Sequence, residues 1–316
     1  MEQDSPQTST KPTFLLCPGQ GAQSVGMGVE WFNASAAAKQ TFAAADRELG
    51  FALSDICFEG PAETLHRTDI AQAAIYVTSV ACYQGLVEEG KLEQPDVCAG
   101  LSLGEFTALY MAGSLGFIDG LRLVRLRGQA MQEAADAVPS SMVALTGDVS
   151  EARVKELCEK VLADDERQVL VPANFNAPMQ VVVSGTVEAC EKVPAAAEAM
   201  GFKATPLSVA GAFHSPLMEP AAEKLAAALD RAEWAAPSVP VIANVTAEPH
   251  TDNIDEIKRR LVEQLTHPVR WSQSMQYAAH HHKDCRFVEL APGKVLTGLM
   301  RRTDKSIKVE NFDKPA

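Results

Sequence analysis

Short apolar runs alternate along this chain with longer segments whose apolar residues recur every three or four positions. The first pattern predicts buried strands and the second predicts helices packed on them. Thr13 to Cys17 is the first apolar run, and Val97 to Ala99, Pro240 to Val245 and Phe287 to Leu290 are further ones. Residues 25–49 and 61–89 read as mostly helical, with Ile75, Val80 and Leu86 on a packing face. Asp119 to Ala135 reads as a helix whose inward stripe is Leu121, Val124, Gly128, Met131 and Ala135. Ser215 and Pro216 open another helix, because Pro fits a first turn. Ile254 to Leu265 and Val295 to Arg302 complete the helices, and the final residues read as loose. Repeated strand-then-helix order implies a parallel sheet with helices on both faces.

The middle of the chain breaks that rhythm. Met142 to Thr146, Val169 to Ala173, Gln180 to Ser184 and Phe202 to Val209 read as strands. Helices fill Ser150 to Leu162, with Ser150 as its cap, and Thr186 to Met200, closed by Gly201. The order βαββαβ is the split ferredoxin-like arrangement. The expected fold class is therefore α/β. A large subdomain resembling α/β-hydrolases, formed by 13–138 and 208–303, carries a ferredoxin-like insertion at 139–207. Residues 1–12 are polar and read as a disordered tail.

Composition narrows the setting. With 316 residues, 47% of them hydrophobic, the chain can bury a large core. A net charge of −13 argues against nucleic acid as a partner. No apolar run reads as long enough to span a membrane, and the N-terminus lacks the apolar core of a signal peptide. The seven Cys are odd in number and form no C-x-x-C pair, a reduced cytoplasmic pattern without a disulfide frame or zinc site.

The chemistry concentrates where Val97 to Ala99 runs into Gly100-Leu101-Ser102-Leu103-Gly104 and a helix beginning at Glu105. Strand, sharp turn and helix make a nucleophile elbow, G-x-S-x-G. Its glycines let strand and helix close around one protruding Ser. Ser102 would stand at the positive end of a helix, with the Leu103 N–H able to donate to an oxyanion. Pro18-Gly19-Gln20-Gly21-Ala22-Gln23 lacks the Lys of a phosphate loop and the third Gly of a dinucleotide fingerprint. Either it is a plain loop or Gln20 offers a backbone N–H to the site of Ser102. On the 119–135 helix Arg127 faces inward by a modest margin over Arg125 and Arg122. An inward guanidinium needs an anion, which is either a protein carboxylate or an acidic substrate. Among the His residues, 280–282 form a solvated run, His66 reads as surface, and His250 and His267 lie beside Pro in polar loops. His214, at a loop-to-helix junction in Gly211-Ala212-Phe213-His214-Ser215, is the candidate base for Ser102.

Taken in order, Pro18–Gln23, Gly100–Glu105, Arg127-Gly128, Gly211–Ser215 and Gln264-Leu265 resemble the malonyl-CoA:acyl-carrier-protein transacylases over roughly Thr13 to Arg302. That family often has His before its nucleophile; here Leu101 stands there. The resemblance implies ping-pong transfer of a malonyl group from malonyl-CoA through Ser102 to the phosphopantetheine thiol of acyl carrier protein, in fatty acid biosynthesis. It implies His214 as base, Gln20 and Leu103 N–H groups as oxyanion hole, and Arg127 as the grip on the malonyl carboxylate. Gln264 would line the site, Phe213 would crowd an α-methyl, and Met131 would line the acyl site. Asn174 and Asn176 would edge the cleft. No cofactor or metal is implied. The expected protein is a cytoplasmic monomer whose carrier docks on Lys294, Arg301, Arg302, Lys305 and Lys308 or on Lys258, Arg259 and Arg260. The rivals are a free-standing polyketide acyltransferase, a non-catalytic carrier-binding subunit and a serine esterase. The esterase needs an acid behind its base, for which Asp119, Asp136 and Asp148 are available though none follows a strand.

Overall fold

A computed structural model describes residues 11–163, 165 and 167–315. The chain opens with β1 (Thr13–Cys17), then α1 (Val29–Ala34), α2 (Ala36–Leu49), α3 (Leu53–Glu59), α4 (Ala62–His66) and α5 (Thr68–Glu88). Next come β2 (Val97–Gly100), α6 (Gly104–Met111) and α7 (Phe117–Ala137). The middle segment is β3 (Ser140–Thr146), α8 (Glu151–Leu162), β4 (Leu170–Ala177), β5 (Gln180–Thr186), α9 (Val187–Ala199) and β6 (Lys203–Pro206). A short 3-10 turn at Pro216–Met218 leads into α10 (Glu219–Leu229), β7 (Val241–Ile242), α11 (Ile254–Thr266), α12 (Trp271–His281), β8 (Arg286–Leu290), α13 (Val295–Thr303) and β9 (Val309–Phe312).

Five strands form one sheet in the order β7-β2-β1-β8-β9, every pair parallel. Phe14 to Cys17 of β1 are fully buried, as expected for a central strand covered on both faces. The sheet extends past the expected end of its helices. The final residues, read as loose, instead supply edge strand β9 beside β8. Beside the packing of Ile307, Val309 and Phe312, their anchors are polar and invisible to an apolar pattern: Asn311 Nδ2 donates to Gly293 O at 2.6 Å, and Asp313 Oδ1 accepts the Gly293 N–H at 2.6 Å. Buried Glu289 accepts from the N–H groups of Leu296 at 2.7 Å and Thr297 at 2.8 Å, capping α13. Phe312 O accepts the Trp31 indole N–H at 3.0 Å.

Helix α5 also departs from the sequence reading. Its 21 residues are long and apolar enough to cross a membrane, yet its apolar surface is spent inside this core. Its heaviest packing is against α7. Residues 1–10 of the expected tail lie outside the described residues. Pro12 O accepts the Arg286 N–H at 2.8 Å, so Pro12, expected in the tail, is tied to the start of β8.

The second sheet runs β4-β5-β3-β6, with antiparallel pairs throughout and its own apolar cluster under α8 and α9. This is the βαββαβ order read from the sequence. The largest boundary difference in this segment is at the end of β4. Asn174 to Ala177, expected as a connection, belong to β4, which bulges at two places. The bulged strand reaches the larger subdomain: the Phe175 N–H donates to Val269 O at 2.9 Å, and the Val269 N–H to Ala173 O at 2.8 Å. Asn174 and Asn176 are half-buried in this junction.

Candidate active site

The elbow forms where β2 meets α6, and its geometry is steric. A Cβ at Gly100 would lie 1.9 Å from the carbonyl of Gly104, so strand and helix can meet only without a side chain there. Ser102 at the apex takes φ 50°, a left-handed conformation costly for a residue with a side chain. The Gln20 loop lies against this turn: a Cβ at Gly19 would come within 2.2 Å of Leu101 O. Among the described residues, neither the Gln20 N–H nor the Leu103 N–H has an acceptor in the chain. Both are thus available to an oxyanion near Ser102.

His214 arrives from 112 residues away, also at positive φ (57°), just before the Ser215-capped turn. Its Nδ1 lies 2.6 Å from Gln264 O. A carbonyl oxygen only accepts, so Nδ1 carries the hydrogen and Nε2 presents a lone pair. That lone pair faces Ser102 Oγ at 2.9 Å. Burial and the nearby Arg127 charge push the ring down to about 4, so it stands neutral at physiological pH and ready to accept a proton.

Arg127 is fully buried on α7, on the inward side that its sequence position predicts. Nη1 donates to Gln72 Oε1 at 2.7 Å; Nη2 donates to Gln264 Oε1 at 2.8 Å and to Ser102 Oγ at 3.0 Å. Its Nε is buried without a partner. Among the described residues, no carboxylate bonds this guanidinium. Burial lowers its pKa to about 10, partly offset by the more distant charge of Glu105. The cation is held by amide oxygens and remains open to an anionic ligand.

The other predicted residues are brought close to varying degrees. Gln264 is fully buried and touches both Arg127 and the elbow, its Nε2 donating to Ser102 O at 3.0 Å. Met131 is buried, its sulfur 3.3 Å from Gln72 Nε2. Phe213 is buried in the main apolar cluster next to His214. Leu101 is buried in the smaller cluster below the sheet. None of Asp119, Asp136 and Asp148 reaches the His: Asp119 sits by Arg122, Asp136 accepts from Gln132, and Asp148 pairs with Arg153.

Sequence reasoning missed several partners. Gln72 is a lone amide in the apolar run Ile70–Ile75, and that isolation was the available signal. Asn244 follows a buried strand; its Oδ1 accepts the Ser102 N–H at 2.7 Å and its Nδ2 donates to Gly100 O at 2.7 Å. His250, expected in a polar loop, is buried with Nε2 2.6 Å from Glu105 Oε1, a pairing across 145 residues that no local pattern announces. Of the two basic clusters, Lys258 pairs with Asp230, and Arg259 and Arg260 pair with Glu256. Lys294, Arg301, Lys305 and Lys308 make no ion pair among the described residues, Lys308 Nζ donating to Lys305 O at 3.5 Å, and Arg302 donates to Gln180 Oε1 at 2.5 Å.

A hydroxyl on a strained elbow, a neutral imidazole in hydrogen-bond reach and free backbone N–H groups define a serine-dependent acyl-transferring protein on a parallel α/β sheet. Residues 13–314 match the family model for the acyl transferase domain. The malonyl CoA-acyl carrier protein transacylase of Bacillus subtilis is 43% identical over 300 residues, covering 95% of this chain and 92% of that protein. The solved transacylase of the same name from Coxiella burnetii superposes with a TM-score of 0.91 at 34% identity, covering 96% and 95% of the two chains. A type II PKS acyl-carrier protein in complex with its malonyl-transacylase gives 0.89 at 36% identity, covering 96% of each chain. The chain belongs to the malonyl-CoA:acyl-carrier-protein transacylases within the acyl transferase domain family.

Proposed function

We propose that this chain transfers the malonyl group of malonyl-CoA to the phosphopantetheine thiol of acyl carrier protein, by a ping-pong route through a malonyl ester of Ser102, in fatty acid biosynthesis. The observation that carries the reading is one oxygen with two neighbours. Ser102 Oγ lies 2.9 Å from a neutral imidazole nitrogen and 3.0 Å from a buried guanidinium with no carboxylate of its own.

In the first half-reaction Ser102 Oγ attacks the thioester carbon while its proton passes to His214 Nε2. The Gln20 and Leu103 N–H groups hold the oxygen as it gains charge. The C–S bond breaks, and His214 returns the proton to the departing CoA sulfur. In the second half-reaction the phosphopantetheine thiol gives its proton to His214 and attacks the ester; the C–Oγ bond breaks, and Oγ recovers the proton. Arg127 leaves its contact with the hydroxyl to take the malonyl carboxylate bidentately. An acetyl group leaves that buried cation unpaired, which costs on the order of a few kcal/mol. Carboxylate binding also offsets the positive charge that depresses His214, so malonyl makes the base stronger when it is needed.

Phe213 and Met131 line the acyl pocket in this reading. The carrier docks on the cluster of Lys294, Arg301, Arg302, Lys305 and Lys308, none of which pairs with a carboxylate among the described residues, rather than on 258–260, where the chain's own carboxylates occupy the charges. The division into a core at 13–138 and 208–303 and an insertion at 139–207 is carried over with one amendment, since β9 continues the core sheet. The enzyme acts as a cytoplasmic monomer without a resident cofactor; all seven Cys are free, in keeping with a reducing compartment. Transfer to a polyketide carrier is the second reading, favoured by the relative solved with a type II PKS acyl-carrier protein. The esterase reading is disfavoured because a backbone carbonyl, rather than an acid, stands behind His214. The test is intact-protein mass after mixing with malonyl-CoA: the wild type gains one malonyl group and Ser102→Ala gains none. A malonyl adduct on Ser102→Ala would refute the assignment.

A further inference from the structure

The chemistry above leaves a group of buried polar residues behind the site without a task. Glu105 closes the elbow motif and sits in the first turn of α6, almost fully buried. Three N–H donors converge on its carboxylate. Gln264 Nε2 at 2.6 Å and the Asn244 backbone N–H at 3.2 Å meet Oε2, and His250 Nε2 at 2.6 Å meets Oε1. The His250 side chain is fully buried, and its Nδ1 has no partner. Burying a carboxylate is costly unless it is fully hydrogen-bonded, so so complete a set of donors marks a position that the site requires.

Its placement relative to Arg127 is informative. Carboxylate and guanidinium do not touch; the amide of Gln264 stands between them. Gln264 Nε2 donates to Glu105 and to Ser102 O, which leaves Oε1 to accept from Arg127 Nη2. With the amide turned over, an NH₂ would face the guanidinium N–H, a donor against a donor. A carboxylate in direct contact would have occupied the cation that the substrate needs. One amide away, it orders the cation and leaves it free.

We propose that Glu105, held by His250, is a positioning residue for malonyl recognition: it fixes the Gln264 amide and thereby aims Arg127 at the acyl group on Ser102. This rests on the function proposed above. The same carboxylate reaches the nucleophile by a second route, because Asn244, bound through its backbone N–H, brackets the elbow with its side chain.

The experiment measures the rate of Ser102 acylation in the full chain by intact-protein mass, with malonyl-CoA and acetyl-CoA offered separately. Glu105→Gln supplies one oxygen for three donors. It is expected to lower the malonyl-to-acetyl rate ratio about tenfold while acetyl acylation falls by less than about threefold. His250→Leu is expected to lower the ratio in the same direction. His250→Gln, which can still donate an N–H to Glu105, is expected to restore most of it. A wild-type ratio in Glu105→Gln, or an equal fall in both rates, overturns the proposal. If Glu105→Gln does not fold, the two His250 variants decide, and equal ratios in them overturn it. A wild type with no preference for malonyl, or an adduct on Ser102→Ala, removes the underlying function and this inference with it, a failure seen without any Glu105 variant.

Discussion

Two arginines on α7, less than one turn apart, meet opposite fates. Arg125 reaches the end of α5, where it bonds Asp69 through the backbone carbonyl and the side chain, and it lies 5.5 Å over the Phe51 ring. It keeps some contact with water, and a carboxylate answers its charge. Arg127 is sealed from water; it lies 5.8 Å over the Phe106 ring, and its hydrogen bonds go to amide oxygens and a hydroxyl. A structural arginine brings its counter-ion with it. An arginine that is buried and desolvated, yet denied a bonded carboxylate, is costly to hold, and the cost makes sense where a ligand supplies the missing charge.

The sharpest way to break this contrast is to remove Arg127. Arg127→Ala is expected to reduce malonyl transfer to carrier protein by on the order of a hundredfold in kcat/KM, with far less change in acetyl transfer. Rates with both thioesters check it. Equal losses would mean that Arg127 supports the fold of the site and not the recognition of a carboxylate.

The contrast also bears on what the sequence made legible. The elbow was readable because it is contiguous: five residues contain the strand end, the turn and the helix start, and the steric need for Gly100 is local. Arg127 was readable only as an inward lean against a helical stripe, and its partner stayed open. What answers it is Gln72, 55 residues before, and Gln264, 137 residues after. Uncharged amides carry no pattern that marks them as ligands. His250 does lie in a loop, as its neighbouring Pro suggested, but that loop is not solvated there: its burial depends on Glu105 arriving from another element. The ferredoxin-like insertion was legible in outline because its strands and helices are short, separately bounded runs in the order βαββαβ. The extent of β4 was not, because its last residues are held by Val269 of the larger subdomain. Strand β9 escaped notice because its packing residues Ile307, Val309 and Phe312 are scattered among polar ones and form no apolar run, and hydrogen bonds to distant residues complete its hold.

A subtler consequence of the unpaired cation is its effect on the base. Burial is the larger cause of the low His214 value of about 4, and the Arg127 charge is the second. Removing a positive neighbour makes the imidazolium easier to form, so the pKa must rise. In the wild type, acylation of Ser102 by acetyl-CoA is expected to stay level from pH 8 down to pH 5. In Arg127→Gln its acidic limb should move to higher pH, because the second cause of the low value is gone while burial remains. Acetyl-CoA is the proper substrate here, because it carries no carboxylate to answer the guanidinium. An acidic limb at the same pH in both proteins would show that burial alone sets the base.

The smallest effect belongs to the other member of the pair. Arg125 is partly exposed, and its Asp69 partner is also held by Arg67 through two hydrogen bonds of 3.0 Å. Such an ion pair is screened and partly redundant. Arg125→Gln should therefore cost less than about 1 kcal/mol of stability. It should leave the malonyl-to-acetyl ratio at the wild-type value, because the charge it removes is already spent inside the protein. Thermal unfolding and the two acylation rates measured on one preparation check both parts. A loss of malonyl preference in Arg125→Gln would mean that the two arginines act as one unit, and that the line drawn here between a structural and a recognising cation is misplaced.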